Sequence, residues 1–180
     1  MDDQVGISLR NAGIPVVGLD SLKYFWSGRT AQRTARDLGL IIDYYTKYLN
    51  VKHVVLVGYS FGADVMPASY NRLRPAQKAK VKAISLLSLS HKVDYVITLR
   101  GWLGFKTDGK GGNPVDDIGS IRPEIIQCVN GKYDDHDNAC PDLRSAGITV
   151  IDMPGGHHFG GNYHRLAEHI TSGLKMGLNK

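Results

Sequence analysis

No apolar run in this 180-residue chain is long enough to cross a bilayer, since a transmembrane helix needs about 20 such residues in succession. Internal repeats and tracts of biased composition are also missing, which excludes repeat arrays and low-complexity linkers. Met1 is followed at once by Asp2-Asp3-Gln4, so the basic-then-apolar pattern of a secretory signal is not seen. The chain therefore reads as cytosolic, or as a mature or truncated piece of a longer precursor. Cysteine is scarce, with only Cys128 and Cys140. The residues between them hold no second C-x-x-C, so a zinc ribbon is not expected. The pair is open to three readings: a disulfide, two free thiols or half of a metal site. A disulfide is favoured, and it would imply an oxidising compartment such as the bacterial periplasm. Basic residues exceed acidic ones, 22 to 17, for a formal charge of +5. They form no single long run, which argues against nucleic-acid binding and leaves anionic surfaces such as lipid headgroups.

What remains is ordinary for a globular protein: 42% hydrophobic and 22% charged residues, enough for one domain with a core over residues 1–180. Its organising stretch is Val54-Val55-Leu56-Val57-Gly58-Tyr59-Ser60-Phe61-Gly62-Ala63-Asp64. The apolar run reads as a buried strand, and Gly58 to Gly62 fits G-x-S-x-G, the turn that lifts a nucleophilic serine off a sheet. A side chain at either flanking glycine is expected to collide with neighbouring backbone. Ala63 onwards can open a helix whose positive N-terminus faces the serine.

Around this stretch the periodicity alternates between strand and helix. Gln4 to Ala12 reads as the end of a helix closed by Gly13, and Ile14 to Leu19 as a first strand. The aromatics of the loop Asp20 to Ser27 (Tyr24, Phe25 and Trp26) would either line a pocket or seal the core. A helix from Thr30 to about Leu49 buries one face through Leu38, Ile41, Ile42, Tyr45 and Leu49. Further strands are expected at Val81–Ser90, Ile121–Val129 and Ile148–Ile151, with a last helix from Tyr163 to about Met176. Residues 91–119 break the pattern and read as an excursion from the sheet, a possible lid. Within it, Trp102-Leu103-Gly104-Phe105, followed by Lys106 and Lys110, would either touch lipid or pack on the core. The implied fold is α/β and hydrolase-like, a mostly parallel sheet flanked by helices on both faces.

A serine becomes a nucleophile at neutral pH only with a base to take its proton and a third group to orient the base. On this kind of sheet the order along the chain is Ser, then Asp or Glu, then His. Ser60 follows one strand, an acidic loop follows another, and Gly155-Gly156-His157-His158 follows the last. Asp137, in Asp137-Asn138-Ala139-Cys140-Pro141, is the favoured acid, with Asp134 and Asp135 as alternatives. His157 is the favoured base, with His158 as its alternative. A Cys128–Cys140 bridge would tie the acid loop to its strand. The amide of Phe61 is expected to donate to the oxyanion, and no metal or cofactor is called for.

With these residues in view, the sequence resembles the VirJ/AcvB family of bacterial virulence proteins, within the α/β-hydrolase superfamily. The likeness rests on Pro15-Val16-Val17-Gly18-Leu19-Asp20-Ser21-Leu22-Lys23-Tyr24-Phe25-Trp26-Ser27, on the elbow through Pro67, on the acid loop ending at Cys140 and on Pro154-Gly155-Gly156-His157-His158-Phe159. It implies a periplasmic serine hydrolase connected with virulence and type IV secretion. Its substrate would be an aminoacyl ester, lysyl-phosphatidylglycerol by analogy with AcvB-like members, and Ser60, Asp137 and His157 would be the triad. The partners implied are an aminoacylated anionic phospholipid or another ester, secretion-system proteins and a peripheral membrane contact. The acidic residues Asp134 and Asp135 would receive the cationic lysyl group. Family members usually begin with a strand and a Gly-rich loop that this chain lacks, so a sheet edge and a second oxyanion donor are expected to be missing and activity impaired. The competing reading is a non-catalytic accessory module of a secretion system on the same fold.

Overall fold

The computed structural model describes residues 2–97 and 109–178. Its sheet has four strands, β1 (Val54–Tyr59), β2 (Val81–Leu87), β3 (Ile126–Gly131) and β4 (Thr149–Met153), ordered β1-β2-β3-β4. All three pairings are parallel. The register aligns Tyr59 with Leu87, Leu87 with Val129 and Val129 with Ile151. The strands therefore end together, and the loops that follow them emerge along one edge. Parallel strands need crossovers, and these supply helices to both faces of the sheet.

On one face lie α1 (Asp2–Asn11) and α7 (Tyr163–Leu178). Val5 and Leu9 of α1 and Leu166, Ala167 and Ile170 of α7 pack with Leu87, Val129 and Met153. The other face carries α3 (Ala31–Tyr48), α4 (Phe61–Asn71) and α6 (Pro114–Ile118). There Ile42, Ala63, Tyr70 and Ile118 close over Leu56, Ile84, Leu86 and Cys128. Leu86 and Leu87 fall on opposite faces, as the two-residue period of a strand requires. Two short helices, α2 (Ser21–Phe25) and α5 (Pro75–Lys78), complete the described set.

Local chemistry accounts for the boundaries. The Thr30 hydroxyl accepts the Arg33 N–H and caps α3, which ends before Asn50 in a left-handed conformation at φ 50°. The Asp20 carboxylate accepts the Lys23 N–H, which turns the expected loop into α2. Within α2, Phe25 is 2% exposed and packs edge-on against Phe61, so it seals the core, whereas Trp26 is 53% exposed.

The structure differs from expectation at Ile14–Leu19. This segment forms no regular element and pairs with no strand among the described residues. Val16, Val17 and Leu19 stand 41%, 44% and 53% exposed. A run rich in apolar, β-branched residues makes a strand only where a ladder partner is present. The third expected strand stops at Leu87, because Ser88 takes a positive φ of 53°. Pro123 opens a 3-10 turn, which delays β3 to Ile126. The Trp102-Leu103-Gly104-Phe105 segment lies outside the described residues.

Candidate active site

Ser60 sits between the last residue of β1 and the first of α4 with φ 50° and ψ −118°. A non-glycine residue with positive φ is strained, and such strain persists only where the surroundings impose it. Here the Ser60 N–H is held by the Leu87 carbonyl at 2.8 Å. Its own carbonyl accepts from Ala63 N–H at 2.8 Å and Asp64 N–H at 3.1 Å. Gly58 is sterically required, since a Cβ there would run into the Gly62 backbone. The converse expectation fails: a Cβ on Gly62 would meet open space. The collision is one-sided because α4 crosses directly over Gly58.

His157 leaves β4 through Pro154-Gly155-Gly156. Its Nε2 lies 3.0 Å from Ser60 Oγ, and its Nδ1 lies 2.9 Å from Asp134 Oδ2. The His157 carbonyl accepts from the Tyr59 and Ser88 hydroxyls, each at 3.3 Å. These two residues were not singled out by the motif, and both hold the base from behind. Close approach of the loops depends on Gly131, where a Cβ would overlap the Gly156 carbonyl. Phe159, fully buried, anchors the far end of the histidine turn. His158 points away from the serine, with its Nδ1 3.0 Å from the Tyr59 hydroxyl.

The acid that meets His157 is Asp134. Its side chain is 2% exposed, and its Oδ1 accepts the His136 N–H at 3.1 Å and faces His136 Nδ1 at 3.0 Å. Burial works against its charge. Hydrogen bonds from His157 and the His136 amide more than offset that, and the carboxyl is held below the usual carboxylate range.

Asp137, the favoured acid of the sequence reading, is placed elsewhere. Its Oδ2 accepts the His91 N–H at 3.0 Å and its Oδ1 lies 2.6 Å from His91 Nδ1. His91 Nε2 is 2.9 Å from Asp142. The reason is chain geometry. Asp134 follows β3 directly, in a turn where its N–H returns to the Gly131 carbonyl at 3.1 Å. By Asp137 the loop has moved toward the end of β2, where the Ala139 N–H meets the Leu89 carbonyl at 2.8 Å. Asp135 is 94% exposed and pairs with His136 at 3.3 Å. With Asp134 facing His157, the expected Asp134–Asp135 patch for a cationic group is not formed.

Cys128 of β3 and Cys140 of the acid loop are joined in a disulfide, both fully buried. The bridge fixes the loop onto its strand, as the spacing suggested. Phe61 opens α4, and first-turn amides of a helix have no partner within it. Asp64, half-buried in that turn, accepts the Ser90 N–H at 2.9 Å. Loss of water around its carboxyl pushes it up to about 7.

Against this geometry, a family model described as "Bacterial virulence protein (VirJ)" matches residues 1–177. The chain belongs to the VirJ family. Solved structures of low identity share its fold. Est1E from Butyrivibrio proteoclasticus, solved with ferulic acid, superposes with a TM-score of 0.62 at 14% identity over 99% of the VirJ-family chain and 83% of its own. An extracellular α/β-hydrolase from a Paenibacillus species gives 0.58 at 13% identity, covering 95% and 92%. A protein described as a hydrolase of the alpha/beta superfamily from Xanthomonas campestris gives 0.53 at 14% identity, covering 97% and 85%. A search of curated proteins returned no match. This VirJ-family chain therefore has an α/β-hydrolase fold.

Proposed function

We propose that the protein is a serine carboxyl-ester hydrolase, with Ser60 as nucleophile, His157 as general base and acid, and Asp134 as the group that orients the base. The observation that carries this reading is the continuous line from Ser60 Oγ through His157 to Asp134, with links of 3.0 and 2.9 Å. In the first step Ser60 Oγ attacks the ester carbonyl carbon while its proton passes to His157 Nε2. Asp134 stays ionised and stabilises the imidazolium. The tetrahedral intermediate places its oxyanion near the Phe61 amide, at the positive end of α4. Collapse breaks the ester C–O bond, and His157 returns the proton to the leaving alcohol. Water then attacks the acyl-enzyme by the same route, releasing the carboxylic acid and restoring Ser60.

The substrate we favour is lysyl-phosphatidylglycerol, reached through the family resemblance and supported by the formal net charge of +5, which suits an anionic membrane. A periplasmic setting and a link to type IV secretion belong to the same reading, and the disulfide suits an oxidising compartment. The test is release of free lysine from lysyl-phosphatidylglycerol vesicles by wild type and Ser60→Ala. Wild type should release lysine, and the variant should lose at least about 10⁴-fold of the rate. Equal rates would remove Ser60 from the mechanism. Hydrolysis of simple esters without lysine release would keep the triad and discard the lipid.

A further inference from the structure

Resting on the triad reading, we propose that Asp134, His136 and His157 also form a binding site for a zinc-type divalent cation, and that Zn²⁺ bound there reversibly shuts off Ser60. One carboxylate stands between two imidazoles. His157 Nδ1 faces one of its oxygens at 2.9 Å and His136 Nδ1 faces the other at 3.0 Å. The two rings lie 4.8 Å apart, and one donor atom from each of the three residues falls within 4.8 Å of the others. Two imidazoles and a carboxylate are a donor set that suits zinc, with bonds of about 2.0–2.2 Å. Tetrahedral binding at that length needs ligand atoms roughly 3.3 Å apart. The ligand atoms would draw together from the observed spacing on binding.

The site is built as well as composed. Asp134 is buried, the loop that carries it is pinned by the disulfide, and the His157 backbone is held by Tyr59 and Ser88. His136 is 63% exposed, which gives an ion a path in and leaves a fourth position for water. The exposed Asp135 adds negative charge at the entrance. No free thiol competes, because both cysteines are in the bridge. The neighbouring His91 offers one imidazole between two carboxylates, a harder donor set less suited to zinc.

Occupancy stops catalysis through the tautomer of His157. In the working state Nδ1 carries the proton toward Asp134, and Nε2 presents a lone pair to Ser60. A cation on Nδ1 takes that position, and the proton moves to Nε2. The imidazole remains neutral, but it no longer has a lone pair for the Ser60 proton.

The experiment uses untagged protein, equilibrium dialysis against Zn²⁺, and the rate of Ser60 labelling by a fluorophosphonate. Wild type should bind one Zn²⁺ per chain and label at least about ten-fold more slowly, with recovery on adding chelator. His136→Ala should bind Zn²⁺ about ten-fold or more weakly, and at a zinc concentration that half-saturates wild type the slowing of its labelling, taken as the ratio of its own rates without and with zinc, should shrink accordingly. Ser60→Ala should bind Zn²⁺ as wild type does. Absence of bound Zn²⁺, undiminished binding in His136→Ala, or labelling unchanged at saturating zinc would each overturn the proposal. Failure to label before zinc is added counts against the triad, and dialysis alone then decides the cation site.

Discussion

Asp134 and Asp137 stand three positions apart on one loop, and each engages a different histidine. Only Asp134 bears on the ring that faces Ser60. Replacing an orienting carboxylate by its amide leaves the packing intact but disturbs the base's tautomer, at a cost of about 10⁴ in turnover. We expect Asp134→Asn to show a loss of that order in kcat/KM for a soluble ester, and Asp137→Asn to stay within about ten-fold of wild type. A reversed ranking would return the acid role to Asp137. Ser60 itself was legible in the sequence because one short motif fixes both its turn and its exposure. The choice of aspartate was not, since it depends on where a loop bends after β3, and that bend is set by a backbone hydrogen bond rather than by residue type.

Between residue and molecule, the segment Leu89-Ser90-His91 acts as a strut. Asp64 of α4 accepts the Ser90 N–H, while the Leu89 carbonyl and His91 engage Ala139, Asp137 and Asp142. It thus joins the helix that follows Ser60 to the loop that carries Asp134. Asp137 first, then Asp142, raises the His91 pKa above its ordinary 6.5. Asp137 is held below 3.8, because its bonds from His91 outweigh its burial. A group raised on folding contributes fully below its unfolded pKa and loses that contribution as pH rises through the folded value. The Asp137 contribution is lost instead as pH falls through its lowered value. The pair therefore helps most between those limits. The destabilisation caused by His91→Ala, read from urea unfolding midpoints, should be larger near about pH 6 than near about pH 9. An equal loss at both would show that His91 acts through packing alone. The strut was invisible in the sequence, because its members come from three separate segments with no shared spacing. The helices were legible where caps and periodicity agree, as in α3. The Ile14–Leu19 segment misled for the opposite reason: its apolar, β-branched composition describes a strand, but a strand is defined by its neighbour.

On the scale of the whole molecule, the aligned strand ends bring Ser60, Asp134 and His157 from three loops to one edge of the sheet. The formal charge of +5 acts at this scale too. Exposed charges are screened beyond roughly 10 Å at 0.1 M salt. Cosedimentation should therefore show more protein on phosphatidylglycerol vesicles than on neutral ones, with the difference fading as salt is raised to about 0.5 M. Binding that ignores both lipid charge and salt would show that the net charge plays no part in lipid contact.

In the proposed reaction His157 and Asp134 make Ser60 a nucleophile. The most direct measurement is intact mass and peptide mapping after exposure of the folded wild-type protein to a fluorophosphonate. A single adduct on Ser60 is expected, absent from Ser60→Ala and formed far more slowly in Asp134→Asn. A folded wild-type protein left unmodified, or modified at another serine, would contradict it and favour a binding module on a hydrolase fold.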